Sequence, residues 1–507
     1  MLNLAAFALA TPLAGANAAS PPAWGGFAGN AQHTGQSATP PQAFGSIHWT
    51  AAVDAAPQLS GGELLIHYAS PMITAANTVL LPVKGTATGG FRIEARAGAT
   101  GALLWTLNTG WTPPAHNWYP PLPAVLSQQN RLSVAGPGGV VTTRLNPDLA
   151  TGTVANSIFY GASAYSANKA AFNKGLQIST PLATDAAGNL YFGFTVSGTG
   201  LTDSTGKALK SGIARISASG VGTWVSATTA SGLSSMTQVP TNAAPAVSKD
   251  GKTIYVPVSN GSSGYLLALN STTLATNAKV SLVDPSSGWA GWVSNDSSAS
   301  PMVGPDGDVY FGVLEQPFPN HNDRGWLLHF DAALATIKTP GPFGWDNTTS
   351  VVPASVVPSY TGPSSYLLMT KYNNYQGIGT GDGLNRIAIV DPGTAAPDQL
   401  LPAVQSMAVV QSVLGPTNYP GTSLVPGTSL YPRYEWCINS AAVDITKGTV
   451  IANSEDGHLY HWDLKTGLIS ESLLLNTPRP EAYTMTVIGP DGTVYAINNA
   501  TFYAIGK

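Results

Sequence analysis

Charged side chains are scarce in this chain of 507 residues, where Asp, Glu, Lys and Arg together make up 9%. A typical soluble domain contains about 25%. The 22 basic and 26 acidic residues nearly cancel, which leaves a formal net charge of −4. So small a charge gives little attraction to phosphate backbones. The composition therefore argues against nucleic acid as a partner.

Cysteine is almost absent, since Cys437 is the single one. One thiol cannot form an intramolecular disulfide, a C-x-x-C redox pair or the C-x-x-C-H attachment of a c-type haem. The sequence also lacks G-x-S-x-G, H-E-x-x-H, G-x-x-x-x-G-K-[ST] and an EF-hand loop. No local sequence motif therefore indicates a serine hydrolase, a zinc protease or a P-loop enzyme. We also predict no metal site.

Long apolar segments are missing after the N-terminus, so the sequence predicts no membrane span. Residues 1–19 are apolar and end in the small-residue pattern Ala16-Asn17-Ala18, which is typical of a secretory signal peptide. An apolar N-terminal strand or tether is the alternative interpretation. We expect a mature chain from residue 20 onward, in the periplasm or outside the cell.

Glycine and proline are abundant, with 55 and 39 residues, and are scattered along the chain, as in a protein with many turns. The segment SPMVGPDGDVYFG at 300–312 combines a short apolar strand, a tight turn and a second strand, which is typical of a β-hairpin. Similar segments begin at Ser70, Leu122, Ser179, Ala244, Val352, Ser440 and Thr484. The chain therefore contains eight repeats.

Most hairpins are followed by a third strand and a second turn, which predicts four-stranded antiparallel units. Such a unit cannot bury both of its faces alone, but stacking around an axis buries them. The last repeat supplies only three strands, and the segment at 46–53 is available as its fourth. We therefore predict an all-β fold, one eight-bladed β-propeller over residues 20–507. An insertion at about 397–436 is expected to cover one face.

Propeller connectivity assigns the loops to two faces. With the strands of a blade labelled A to D from the axis outward, the A–B and C–D turns share one face, which we call the turn face. The B–C loops and the connections to the next blade share the other, which we call the loop face. The A–B turns consist of ordinary turn residues, as at 185–189 and 304–308. The turn face is therefore interpreted as structural. Unusual residues concentrate on the loop face, which predicts the functional site there.

Two groups of candidate residues follow from this placement. The candidate catalytic residues are His116, His321, Arg433 and Glu435, with a histidine as base, Glu435 as acid and Arg433 stabilising negative charge. The candidate ligand-binding residues are Tyr119, Trp289, Trp292, Asn295, Asp323, Lys371, Tyr372, Trp436 and Tyr483. The competing interpretation is structural: tryptophans packed between blades, an Arg433–Glu435 ion pair and solvated loop histidines.

The opener Trp24-x-x-Phe27-x-Gly29-Asn30-x-Gln32-His33-Thr34-Gly35 and the segment DGHLYHWDLKTG from Asp456 resemble the PQQ-like repeat of the quinoprotein alcohol dehydrogenase-like propellers. The resemblance covers nearly the whole mature chain and implies their fold, which non-enzymatic scaffolds share. The family's dehydrogenases hold pyrroloquinoline quinone (PQQ) against a Trp and a disulfide of adjacent cysteines, with calcium bound by carboxylates. This chain cannot form that disulfide, so no cofactor is expected, and PQQ with calcium remains the alternative.

Three functions stay open on the sequence. The first is binding of a neutral ligand, such as a sugar, a polymer or a small molecule, on the loop face. The second is an enzyme at the same site, either a quinoprotein-like oxidoreductase or a cofactor-free lyase or hydrolase. The third is a protein-interaction scaffold, which predicts an extended apolar patch on the rim. A His or Glu at the axis with a perturbed pKa would favour the enzyme.

Overall fold

The eight predicted blades are present in the computed structural model, which describes residues 20–295, 299–480 and 485–507. The second strand of each blade is a nearly continuous buried run, as in TVLLPV at Thr78–Val83. Such a strand is covered by a neighbouring blade on each side, so both of its faces are apolar. The prediction of an all-β eight-bladed propeller is confirmed. The predicted signal peptide at 1–19 lies outside the described residues.

Each blade is built from its innermost strand outward. Blade 1 contains Met72–Ile73, Thr78–Val83, Arg92–Ala97 and Leu103–Asn108; blade 2 contains Ala124–Leu126, Arg131–Ala135, Val140–Leu145 and Val154–Ile158; blade 3 contains Ala183–Thr184, Leu190–Val196, Gly212–Ile216 and Gly222–Ser226; blade 4 contains Ala246–Val247, Thr253–Ser259, Gly264–Asn270 and Thr276–Ser281. Blade 5 contains Met302–Val303, Val309–Val313 and Trp326–Phe330; blade 6 contains Ser350–Pro353, Tyr366–Tyr372, Arg386–Pro397 and Gln405–Leu414; blade 7 contains Ala442–Asp444, Thr449–Asn453, His458–Asp463 and Leu468–Leu474; blade 8 contains Thr486–Ile488, Val494–Asn498, Thr501–Gly506 and Ser46–Ala52.

The remaining elements of the described residues are short and lie in the connections. Three helices span Ala162–Ala167, Lys169–Gly175 and Ala227–Ser231, and two single 3-10 turns span Pro137–Gly139 and Ala354–Val356. Additional two- or three-residue strands are Gln36–Ser37, Leu59–Ser60, Glu63–Leu64 and Leu176–Ile178. None of the helices in the described ranges has the length and apolar character needed to cross a membrane.

The ring is closed by the N-terminal strand, as predicted. Ser46–Ala52 pairs antiparallel with Thr501–Gly506 and forms the outermost strand of blade 8. Trp49 of this strand packs on Phe502 at a ring-centroid distance of 5.4 Å, and its Nε1 donates a 2.7 Å hydrogen bond to the Gly98 carbonyl of blade 1. The closing strand therefore covers the edge of Thr501–Gly506 and joins the last blade to the first.

Blades 5 and 6 differ from the expected pattern. In blade 5 the fourth position is taken by isolated bridges, which pair residue 337 with Phe330 and residue 341 with Leu327. In blade 6 Gln405–Leu414 is the fourth strand, so the segment that crosses the loop face is 415–436 and not 397–436. The Pro and Gly residues in DPGTAAP resemble a loop, but they lie in a strand whose register shifts between Asp391 and Ala395.

The opener residues 24–35, which we call the N-terminal strap, lie on the turn face beside the axis. Carbonyl oxygens of the strap accept hydrogen bonds from backbone N–H groups in the inner strands of six blades, at 2.7–2.9 Å. The donor and acceptor pairs are Ile73 to Trp24, Leu126 to Gly25, Val247 to Ala31, Val303 to Gln32, Val351 to Thr34 and Val443 to Gly35. The strap therefore ties together inner strand edges that would otherwise lack partners.

Candidate functional site

The B–C loop of blade 5 is held in place by the fully buried carboxylate of Glu315. Its oxygens accept backbone hydrogen bonds from His321 at 3.2 Å, Asp323 at 2.8 Å and Gly325 at 2.8 Å. These three backbone donors satisfy the hydrogen-bonding capacity of the buried carboxyl group. Glu315 therefore fixes the backbone on both sides of Asp323.

His321 lies in the interior, which differs from its predicted role as a base. Its ring stacks on Trp326 at 3.9 Å and 5°. Nδ1 lies 2.9 Å from the Gly325 carbonyl, and Nε2 lies 3.1 Å from Oδ1 of Asp398. Although burial opposes it, the hydrogen bond from His321 holds the pKa of Asp398 below its usual value. Both ring nitrogens are engaged, so the structure gives His321 a packing role.

Acidic groups and one lysine from different blades converge near the axis on the loop face. Glu435 precedes blade 7, Asp323 comes from blade 5, Lys371 from blade 6, and Glu63 precedes blade 1. Burial raises the pKa of Glu435 to about 7, where Lys371 opposes the shift and Glu63 and Asp323 add to it. We call these four residues the carboxyl cluster. Glu63, Asp323 and Lys371 lie close enough to Glu435 to influence its pKa.

The pKa values of the other two carboxyl groups of the cluster are raised as well. Burial, followed by the charges of Glu315 and Asp346, raises the pKa of Asp323 to about 7. Burial also raises the pKa of Glu63. Carboxyl groups with a pKa near neutrality are partly protonated at pH 7, so they both donate and accept hydrogen bonds. They can also exchange protons with a bound molecule.

Two buried polar atoms beside the cluster have no hydrogen-bond partner among the described residues. They are Oδ1 of Asp323 and Nη1 of Arg324. The Arg324 guanidinium is 2% exposed and lies 4.3 Å from the centroid of the Tyr372 ring, and its Nε donates to the Asn373 carbonyl at 2.8 Å. Buried polar groups in proteins are nearly always paired with protein, water or ligand. These atoms therefore mark a place where water or a ligand is needed.

Exposed aromatic side chains lie on the same face as this region. In the part of the chain that the structure describes, the exposed Phe, Trp and Tyr residues are Trp289, Trp292, Phe318, Tyr419 and Tyr431. All five lie in B–C loops or blade connections between blades 4 and 7, on the loop face. Trp289 is 60% exposed and Trp292 is 39% exposed. The two tryptophans are therefore available for stacking, as their predicted role requires.

Three other predicted ligand-binding residues are occupied by the protein itself. Trp436 is 1% exposed and meets Tyr460 edge to face at 5.3 Å. Tyr372 is buried under Arg324, and its hydroxyl donates to Oε1 of Gln399 at 2.9 Å. Tyr119 is buried, and its hydroxyl donates to the Ala87 carbonyl at 2.7 Å. The structure therefore supports the packing interpretation for all three.

The remaining predicted residues lie at the margin of the site. The half-buried His116 packs on the Tyr119 ring at 4.2 Å, and its Nδ1 lies 2.6 Å from the Pro114 carbonyl. Oδ1 of Asn295 accepts a 2.8 Å hydrogen bond from Gln238. Arg433 donates to Asn418, and no ion pair between Arg433 and Glu435 occurs in the described ranges. Tyr483 lies outside the described residues.

Sequence reasoning missed Glu63, Arg324 and Phe318 as members of the site. Each lies on a loop-face segment, so connectivity alone could have included them. Glu63 has no aromatic or charged neighbour in sequence, and only the three-dimensional approach to Glu435 reveals it.

The comparisons with known proteins identify the fold. No protein-family model and no curated protein matches the sequence. The quinohemoprotein alcohol dehydrogenase from Comamonas testosteroni matches with a TM-score of 0.54 at 10% identity, over 97% of this chain and 82% of that chain. The chain has the quinoprotein-type propeller fold. A europium-containing methanol dehydrogenase matches with a TM-score of 0.53 at 9% identity, over 93% of this chain and 89% of that chain.

The cofactor site that the resemblance implies needs a disulfide of adjacent cysteines and carboxylates that bind calcium. Cys437 is the only cysteine, so the disulfide of adjacent cysteines cannot form. Within the described ranges, no group of three His, Cys, Asp or Glu residues is arranged to hold a metal ion. The residues therefore do not match that manner of holding PQQ and calcium, and we derive no step through either group.

Proposed function

We propose that the loop face binds a neutral, polyhydroxylated ligand, such as a sugar or a sugar polymer. The observation that carries this proposal is that all the exposed aromatic side chains described lie in segments of this face, which also carries the carboxyl cluster. Indole rings offer flat apolar surfaces with a polar N–H at the edge. Such surfaces suit the apolar faces of sugar rings, and carboxyl groups suit the hydroxyls.

The charge of the cluster favours a neutral ligand over an ion. Burial raises the pKa of Asp323 and Glu435 to about 7, so neither group carries a full negative charge at neutral pH. Lys371 supplies one positive charge beside them. Partly protonated carboxyl groups both donate and accept, so they suit the hydroxyls of a neutral ligand.

The two unpartnered atoms, Oδ1 of Asp323 and Nη1 of Arg324, complete the proposal. One is an acceptor and the other a donor. A sugar hydroxyl both donates and accepts a hydrogen bond, so adjacent hydroxyls satisfy both atoms.

The test is a panel of neutral glycans on an array, followed by titration calorimetry of the ligands that bind. The double substitution Trp289→Ala and Trp292→Ala removes the exposed indoles and should weaken binding by about tenfold or more. Leu468→Ala, on the outer strand of blade 7 and 64% exposed, is the matched control and should leave binding unchanged. Absence of glycan binding, or equal binding by the double variant, contradicts the proposal.

Acid–base catalysis at the same site is the second candidate function, and the raised pKa values of Asp323 and Glu435 favour it. Two such carboxyl groups can act as general acid and general base in a lyase or hydrolase reaction. The test is product release from the glycans that bind, measured against pH. Glu435→Gln should abolish turnover and retain binding, whereas turnover at the wild-type rate contradicts a catalytic role.

Export of the mature chain remains part of this proposal, because residues 1–19 resemble a signal peptide. Mass spectrometry of the protein recovered outside the cytoplasm tests it. A first residue near 19 or 20 supports export, and an N-terminus at Met1 contradicts it.

A further inference from the structure

A cavity of about 570 Å³ lies on the turn face, beside the inner strand of blade 3. It is separated from the loop face by the thickness of the propeller. Its floor is apolar and buried, and is formed by Val125, Leu126, Leu182 and Val247. Its rim carries Gln128, Asp185, Lys249 and Asp250. A volume of this size is typical of sites for small ligands, which span about 300–1,000 Å³.

The cavity exists because the N-terminal strap bypasses blade 3. The strap accepts hydrogen bonds from Leu126 of blade 2 and then from Val247 of blade 4. Between these contacts it turns back on itself, as the Gly25 N–H donates to the Gly29 carbonyl at 2.8 Å and the Gly29 N–H donates to the Gly26 carbonyl at 3.0 Å. Blade 3, like blade 8, is therefore left without the carbonyl partner that the strap gives to the other six blades.

Thr184 occupies in blade 3 the position that Val247 and Val303 occupy in blades 4 and 5. Each is the last inner-strand residue before the A–B turn, and each pairs with the first part of the second strand. The N–H groups of Val247 and Val303 point away from that strand and toward the strap. Thr184 lines the cavity instead. In the described residues, no acceptor outside its own sheet receives its N–H.

We propose that this cavity binds a short extended peptide, which adds to the inner strand of blade 3. A backbone carbonyl of the peptide accepts a hydrogen bond from the Thr184 N–H, and an apolar side chain fills the floor. The protein's own strap makes this contact in six blades, so the edge is suited to extended peptide. Addition of a strand to an exposed sheet edge is an established mode of peptide recognition.

The probe for this proposal is a phage-displayed library of random hexapeptides, selected on the immobilised full-length protein. We expect enrichment of peptides that share an apolar residue. Their affinity is then measured for two variants of Thr184. Thr184→Pro removes the N–H at an edge where proline is tolerated, whereas Thr184→Ala retains the N–H and removes only the side chain. Binding should fall by about tenfold in the first variant and stay unchanged in the second.

Amide hydrogen exchange of the wild-type protein gives a second readout that does not depend on variants. The Thr184 amide should exchange faster than those of Val247 and Val303, and addition of a selected peptide should slow it. Slow exchange at Thr184 without peptide would show that the protein fills the cavity itself and would overturn the proposal. Failure to enrich any peptide, or equal binding by the two variants, also overturns it.

Discussion

Substitution of His67 by asparagine should make the fold less sensitive to acid. His67 lies before blade 1 and is 3% exposed, and its Nδ1 is 2.9 Å from the side-chain amide of Asn242. Burial lowers the pKa of His67 from 6.5 to about 3. The unfolded chain therefore takes up a proton near pH 6.5, while the folded chain resists it.

The sign and size of the effect follow from this difference in pKa. A base whose folded pKa is lowered contributes stability that is fully present above pH 6.5 and is lost as the pH falls toward the folded value. Between pH 8 and pH 5, the loss from His67 is about 2 kcal/mol. His33 is buried as well, and burial lowers its pKa to about 4. It adds a further loss of about 2 kcal/mol over the same interval.

The assay is guanidinium unfolding at pH 8 and pH 5 for the wild type, His67→Asn and the control His48→Asn. His48 is exposed on the closing strand, so its variant should follow the wild type. The loss of unfolding free energy between the two pH values should be about 2 kcal/mol smaller in His67→Asn. Contributions from other titrating groups cancel in this comparison. An identical loss in His67→Asn and the wild type would refute the reasoning.

Further predictions test the strap and the buried carboxyl groups. Gly35→Ala should lower the unfolding free energy by about 1–3 kcal/mol, because a Cβ would lie 2.7 Å from the Ala441 carbonyl at a φ of +65°. Gly421→Ala is the control, since Gly421 has a φ of +74° and open space around it. In the same denaturation assay, this control measures the cost of the backbone conformation without the steric clash. Asp398→Ala should cost about 1–3 kcal/mol in that assay, because it removes the acceptor that lies 3.1 Å from Nε2 of the buried His321. Glu435→Gln should lose less stability than the wild type as the pH rises from 4.5 to 7, because burial raises the pKa of Glu435 from 4.5 to about 7 and the unfolded chain ionises first; melting temperatures at about pH 4.5 and pH 7.5 measure this.

The fold could be predicted because its signals are local and repeated. Each hairpin carries its own turn residues, and the shortage of one strand in the last repeat identifies Ser46–Ala52 as the closing strand. The strand Gln405–Leu414 was missed because a Pro-Gly segment precedes it. Local sequence does not reveal that the sheet continues through this irregular register.

The site could be predicted only in part, because burial depends on contacts between distant segments. Connectivity identifies the loop face and the exposed Trp289 and Trp292. It does not show that Asp398, 77 residues away, holds His321 in the interior, or that Glu63 approaches Glu435. The cavity beside blade 3 has no side-chain signal, since it arises from the backbone course of the strap.

The loop face is proposed to bind a neutral sugar. The most direct test is a crystal structure of the protein soaked with a glycan that binds in solution. The account predicts a sugar ring against Trp289 or Trp292, with hydroxyl groups within hydrogen-bonding distance of Asp323 or Arg324. A glycan bound on the turn face, or on the outer strands of the blades, would contradict it.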